Sequence, residues 1–306
     1  MPLSIQCHPL MLTLHSTCTG GSLLTPDKNI FFSPVSISAA LAMLSFWSCS
    51  STQTEITETL GFNLTDIPML EIRQGFQKLI CSLNFPKKEL ELQIGNVLFI
   101  GKHLKPLAKF LDDVKTVYET EVFSTDFSNV SAAKQEINSH VEMQTKGNVV
   151  GLIQDLKPNA IMILVNYIHF KVQWANLFDP SRTEDNKTTT VQVPMMYQME
   201  QYSHLVDMEL NCTVLQMDYR RNALVLFVLP KEGQMESFVP KVSISATYDL
   251  GATLLKMGIQ HAYAENAEFS GLTEDNGLKR SNAAHKAVLH IVEKGTEIAA
   301  VPEVEL

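Results

Sequence analysis

Glu293-Lys294-Gly295-Thr296-Glu297-Ile298-Ala299-Ala300-Val301-Pro302-Glu303-Val304-Glu305-Leu306 reads as a strand that starts well and cannot continue. Thr296, Ile298, Ala300, Pro302, Val304 and Leu306 fall on one face. Glu297, Ala299, Val301, Glu303 and Glu305 fall on the other. Acids confined to one side at a period of two are the mark of a half-buried strand. Pro302 lacks the N–H that a sheet ladder needs, so it belongs at an edge or in a loop. The stretch is fit to enter a sheet at its start and unfit to carry on. A frayed tail has the same composition, so the rest of the chain must decide what it is.

Working outward, residues 161–165 and 223–229 are continuous apolar runs, the pattern of strands covered on both faces. Residues 90–94 alternate strictly and extend as a strand to 100. Residues 122–127 read as a strand and 29–32 as a short one. Residues 187–195 and 202–219 suggest antiparallel strands. Ser33-Pro34 opens a helix, because serine caps and proline at the first helical position loses no needed donor. Residues 51–60 form a second helix, ended by Gly61. Residues 69–83 place Ile72, Phe76, Leu79 and Ile80 at amphipathic helical spacing. Residues 106–118 and 132–145 are helical by pattern, the latter closed by Gly147. Residues 248–258 read as a helix with Leu250, Leu254 and Leu255 inward. No repeat of 20–50 residues occurs. Helices and strands mixed without βαβ alternation predict an α+β fold.

Composition narrows the function. The 306 residues are 45% hydrophobic and 19% charged, enough apolar material for a large core and too much for disorder. A net charge of −9 argues against nucleic acid and anionic membranes, whose phosphates demand cations. No apolar run reaches the length of a bilayer span. Residues 9–14 form a weak apolar stretch without a basic start, a poor leader. The five cysteines (Cys7, Cys18, Cys49, Cys81 and Cys212) form no CxxC pair and no zinc-ligand spacing. Their odd number leaves at least one thiol unpaired within the chain, and buried thiols acting as small hydrophobes are the default. There is no Gly-x-Ser-x-Gly elbow, no phosphate-cradling glycine loop and no His-Glu-x-x-His. His285 reads as a satisfied core histidine and His140 as a half-buried packing residue. The sequence predicts no enzyme, no metal and no cofactor. Four Asn-X-Ser/Thr sequons begin at Asn63, Asn129, Asn186 and Asn211.

Several long motifs, in order, carry a family resemblance. Asn29-Ile30-Phe31-Phe32-Ser33-Pro34-Val35-Ser36-Ile37-Ser38, Asn166-Tyr167-Ile168-His169-Phe170-Lys171-Val172-Gln173-Trp174, and Val239-Pro240-Lys241 with Tyr248-Asp249-Leu250 resemble serpins. So does Ser281-Asn282-Ala283-Ala284-His285-Lys286-Ala287-Val288-Leu289-His290, followed by Glu293-Lys294-Gly295-Thr296-Glu297. Ser124-Thr125-Asp126-Phe127-Ser128-Asn129 is similar to a branch of that family that carries thyroid hormone. The resemblance implies an α+β serpin fold of several sheets with surrounding helices. It places 1–24 as a leader-like segment and 25–306 as one serpin domain ending inside the reactive loop. It also implies an abbreviated form, short of a first helix, of a helix and strand between Ser237 and Phe238, and of the last strands.

The resemblance implies site residues too. Gly295, Thr296, Glu297, Ile298, Ala299, Ala300 and Pro302 become the reactive-loop hinge. Ser33, Ser36, Asn166 and His285 become a polar cluster beneath the main sheet, and Ser33 also serves as a plain cap. Gln216 and Leu224 are the residues left to match a thyroxine site, with ordinary sheet packing as the other reading. Asn63, Asn129 and Asn211 become glycan acceptors. The implied function is carriage of thyroid hormone (thyroxine) in extracellular fluid by a secreted monomer. Two alternatives stay open: an inhibitor that traps serine proteases as they cleave the loop, or a non-functional short serpin. Inhibition is disfavoured by Ile298, bulky where inhibitors have alanine, and by Pro302, which breaks the ladder an inserting loop must form.

Overall fold

The computed structural model describes residues 31–84, 90–145, 147, 149–156, 158, 160–187, 192–220, 223–230, 238–249, 254–261, 271–273 and 281–298. They pack as two compact units. One draws on the chain up to residue 85 and on 93–168 and 245–287. The other draws on 86–92, 169–244 and the chain from 288 onward.

The first unit begins with α1 (Pro34–Trp47). Ser33 caps it by accepting the Ser36 N–H, and Pro34 sits at its first position. Nearly every residue of α1 is buried, so it is a core helix. Around it lie α2 (Ser50–Thr59), α3 (Met69–Leu83) and α4 (Ala108–Tyr118). Ile72, Phe76 and Ile80 turn inward from α3 as their spacing predicts, joining Phe110, Val114, Tyr118 and Trp47 in one core. A sheet lies against these helices. β1 (Leu90–Gly101) runs parallel to β2 (Glu121–Thr125), with Val97 opposite Glu121, and α4 makes the crossover. That is a βαβ unit, which the sequence pattern did not lead one to expect. β3 (Met162–Gln173) follows β1 in strand order, and its residues 162–168 are buried throughout. β11 (Ser281–Val292) lies parallel to β3 over Ser281–Lys286. The helix α5 (Val130–Gln144) is capped by Asn129. His140 on α5 is half-buried, tilted on Phe123 and edge-on to Phe99. Burial holds its ring below the usual histidine range, although Glu121 and Glu136 pull the other way.

The second unit contains three sheet regions. β4 (Glu184–Lys187), β5 (Gln192–Tyr197) and β9 (Phe238–Pro240) form one. β6 (Ser203–Asp207), β7 (Cys212–Asp218) and β8 (Leu224–Pro230) form an antiparallel second. In the third, the end of β11 and the end of β3 flank β12 (Gly295–Ile298). Trp174, Phe178, Met196, Leu215, Met217 and Tyr219 make its core.

Four expectations are corrected. Residues 31–33 form no strand; Phe32 packs against the first core from an irregular segment. Tyr248 and Asp249 are not helical but end β10 (Val242–Asp249), where the register beside β11 overrides the local helical pattern. Residues 254–256 are helical; Leu254 is buried, whereas Leu255 faces solvent. Leu250 lies outside the described residues. Cys81 is not a buried hydrophobe: it is exposed on α3, with its thiol 3.7 Å from Glu119. Burial and the Glu119 carboxylate push that thiol up.

Candidate functional site

Strand alternation decides what the β6–β7–β8 sheet offers. On β7, Leu215 and Met217 turn into the core, opposite Phe227 and Val225 of β8. The other face carries Val214, Gln216 and Asp218 on β7, paired with Val228, Leu226 and Leu224 on β8. Leu205 of β6 pairs with Val214 on the same face. Relative exposure is 51% for Leu224, 55% for Leu226, 61% for Val228 and 62% for Leu205. Residues 223–229 are therefore not covered on both sides, as their unbroken apolar run predicted. A continuous run suits a strand with two apolar faces, but it does not supply a cover for the second. Gln216 and Leu224 lie on this open face together, one pairing step apart. The Gln216 amide donates to Asp218 Oδ1 at 2.9 Å, which places a polar group and a carboxylate at the margin of an apolar slope.

At the far end of β7 stands Tyr219, on the core side. Its ring stacks on Trp174 with centroids 4.4 Å apart. Its hydroxyl pairs with that of Thr296 on β12. Burial pushes the Tyr219 phenol up to about 12, with the Thr296 contact acting in the opposite direction. Gly295 opens β12 where a Cβ would meet the Val172 carbonyl oxygen at 2.0 Å, so no other residue fits there without moving β3. The turn before it is pinned on several sides. Trp174 Nε1 donates to the Val292 carbonyl at 2.9 Å, and the Trp174 and Phe178 N–H groups donate to the Lys294 and Glu293 carbonyls. The Glu293 carboxylate accepts Lys241 Nζ at 3.0 Å and the Thr183 hydroxyl at 2.8 Å. Burial raises its pKa, but the bond from its own backbone N–H, with those from Thr183 and Lys241, outweighs burial and holds the group below its usual range.

Thus Gly295, Thr296 and Glu297 are paired on both sides, and Ile298 pairs with Phe170 of β3. Thr296 faces Ile291 of β11 and Val172 of β3, and Glu297 faces His290 and Lys171. The strand does enter a sheet at its start. Ala299, Ala300 and Pro302 lie outside the described residues.

The polar cluster predicted in the first unit is partly assembled. Ser36 Oγ donates to Asn166 Oδ1 at 2.6 Å, and Asn166 Nδ2 donates to the Ser36 carbonyl and to Asn96 Oδ1. Asn166 and Ser36 are fully buried, so each bond replaces water that cannot enter. His285 is the register partner of Asn166 on β11. Ser33 acts as the cap of α1. Asn96 was missed from sequence; its place on alternating β1, level with Asn166, appears only once the strands are aligned. Of the sequons, Asn63, Asn129 and Asn211 are exposed. Asn186 lies on β4. Among the described residues there is no group of three or more His, Cys, Asp or Glu able to hold a metal. None of their helices is long and apolar enough to cross a membrane.

A family model described as serpin (serine protease inhibitor) matches residues 20–239 and 234–306. The chain belongs to the serpin family. Within it, the chain is 80% identical to thyroxine-binding globulin of Homo sapiens, covering 92% of this chain and 75% of that protein. It is 73% identical to thyroxine-binding globulin of Sus scrofa, with the same coverage. A solved thyroxine-binding globulin complex with thyroxine superposes with a TM-score of 0.90 at 74% identity, covering 100% of this chain and 91% of that one. Cleaved kallistatin complexed with heparin superposes at 0.89 with 38% identity, covering 97% and 96%. The human match spans 312 residues, whereas 92% of this chain is about 282, so about 30 positions of that relative find no counterpart. The two matched stretches overlap at residues 234–239, which run into the start of β9. That is where the sequence predicts a helix and strand to be absent.

Proposed function

We propose that this serpin is a non-inhibitory carrier that binds thyroxine reversibly in extracellular fluid, with no catalytic step. One observation carries the reading. The face of β7 and β8 that holds Gln216 and Leu224 is apolar and open, on a chain 80% identical to a thyroxine-binding globulin. Iodinated aromatic rings need an apolar slope, and the amino-acid end of the hormone needs polar partners at its margin. Leu224 and Leu226 supply the first; Gln216 and Asp218 supply the second.

The hinge assignment belongs to the same reading. Gly295 to Glu297 already sit between two strands, and Tyr219 joins Thr296 to the end of β7. Movement of β12 would then be felt at the strand that carries Gln216. Beyond Ile298 the sequence brings Pro302, a poor ladder residue, which suits a loop that shifts a little rather than one that inserts deeply. Ser33, Ser36, Asn166 and His285 serve as the polar support under the sheet. Asn63, Asn129 and Asn211 serve as glycan acceptors on a secreted monomer whose serpin domain spans 25–306.

The test is an equilibrium thyroxine titration followed by quenching of Trp47 and Trp174, with circular dichroism on the same sample. The expected outcome is saturable binding by a folded chain, weakened at least tenfold by Leu224→Asp, since a buried unpaired charge costs well over ~1.4 kcal/mol. A folded chain that does not bind, or that forms a detergent-stable complex with a serine protease, overturns it.

A further inference from the structure

The helix α5 is strapped to the chain that follows it. Asn138 Nδ2 donates to the Ile153 carbonyl at 3.0 Å, and the Ile153 N–H donates to Asn138 Oδ1 at 2.8 Å. Lys134 Nζ donates to the Gln154 carbonyl at 2.6 Å, and the Val149 N–H donates to Thr145 Oγ1 at 3.0 Å. The fastening of α5 to the sheet is of another kind. Ala133, Ile137 and Val141 are its buried residues, and His140 stands on the same side, three residues from Ile137. The His140 ring is tilted on Phe123 of β2, with centroids 4.7 Å apart, and edge-on to Phe99 of β1 at 5.9 Å. Its side chain is only 10% exposed, and its Nε2 makes no hydrogen bond, although Glu121 Oε2 lies 3.4 Å away. A neutral imidazole fits such a place, because it can carry its proton on the other nitrogen and pack as an aromatic ring. An imidazolium does not, because both its nitrogens must donate and its charge must leave water.

We propose that His140 is an acid-sensitive latch: the neutral ring fastens α5 to β1 and β2, and the protonated ring lets the helix and its strap open. The charged ring is drawn outward to Glu121, whose side chain is 55% exposed, and reaching it takes the ring away from Phe99 and Phe123. Among the described residues, the charged groups that face the ring are Glu121 from β2 and Glu136, one turn earlier on α5. Burial disfavours the proton and prevails over both carboxylates, so the docked ring titrates below the usual histidine range. From β1 the ring meets only Phe99. Tyr167 of β3 feels the same Glu121 charge, but its phenol, pushed up to about 12 chiefly by burial, stays neutral in this range. A ring whose docked value is depressed contributes its full stabilisation above the undocked value of about 6.5 and loses it as pH falls through the docked value. One proton raises the open population of α5 by at most about tenfold per pH unit.

The experiment uses the full chain and follows backbone hydrogen exchange by mass spectrometry, corrected for the intrinsic rate at each pH. Peptides covering Val130–Gln144 should exchange at least about threefold faster near pH 5.5 than near pH 7.5, while α3 stays unchanged in the same samples. His140→Phe keeps the aromatic packing and cannot be charged, so its α5 should show no such rise. Glu121→Gln removes a carboxylate that favours the proton on the docked ring, so its rise should be deeper. Deuterium exchange at the His140 ring carbon of the wild type gives the titration midpoint of this one histidine, expected below about 6.5. Wild-type α5 exchange that is flat with pH overturns the latch. So does an α3 that opens in step with α5, because that is global unfolding, and so does a rise in His140→Phe parallel to the wild type or a shallower one in Glu121→Gln. A His140 midpoint at or above about 6.5 overturns it without any variant.

Discussion

The two faces of the β7–β8 hairpin are built from the same kinds of residue and do different things. Leu215, Met217, Val225 and Phe227 turn inward onto Trp174 and Tyr219. Val214, Leu224, Leu226 and Val228 turn outward and stay partly or largely exposed. One face is a core: its worth is the apolar area removed from water, about 25 cal/mol per Å². The other has gained little from folding and keeps its apolar surface for something else to cover. An apolar strand face left open is therefore a better pointer to function than one already filled.

The largest expected effect tests the inner face. Met217→Ala removes a buried side chain beside Trp174 and Tyr219 and leaves a cavity. It should cost about 2–4 kcal/mol in urea unfolding. A cost below ~1 kcal/mol would mean that the inner face is not a core.

The next effect is alkaline. Tyr219 closes the inner face with its phenol raised from an ordinary value of 10 to about 12. A raised value means that the folded state holds its proton longer than the unfolded chain. The stabilisation is fully present below pH 10 and is lost as pH rises toward 12. Linkage limits the slope to ~1.4 kcal/mol per pH unit for one group. Stability of the wild type should fall more steeply between pH 10 and 12 than that of Tyr219→Phe. Parallel curves for the two proteins would remove Tyr219 as the source.

The smallest effect belongs to the outer face. Leu226→Ser should change the urea midpoint by no more than ~0.5 kcal/mol, because that side chain is already more than half in water. The same substitution should weaken thyroxine binding. A stability loss comparable with that of Met217→Ala would show that the outer face is covered in solution and would break the contrast.

Much of this was legible in the chain. Ser33-Pro34 announced α1 because a capping hydroxyl and a preset φ act locally. The spacing of Ile72, Phe76 and Ile80 gave α3 its bounds, Met69–Leu83, because one amphipathic helix needs no distant partner to be recognised. Gly295 and Thr296 were readable as the start of a strand. Tyr248 and Asp249 were misread because their helical pattern was local and their pairing was not. Leu255 failed for a related reason: two adjacent leucines fit one helical stripe, and only packing chose Leu254. Asn96 gave no signal, since a buried asparagine on a strand is intelligible only beside its partner Asn166. Tyr219 gave none either; its partner Thr296 lies far along the chain.

The sequence by itself determined the periods, caps and breakers, hence the α+β class, most element positions and the family motifs. These depend on neighbours within a turn or a strand, where steric and hydrogen-bonding rules act at short range. Only the tertiary structure decided which face of β8 stays open, which hydroxyl Thr296 meets and which asparagine satisfies Asn166. Burial and polar pairing are properties of what lies opposite a side chain, and what lies opposite is fixed by strand register across long stretches of chain.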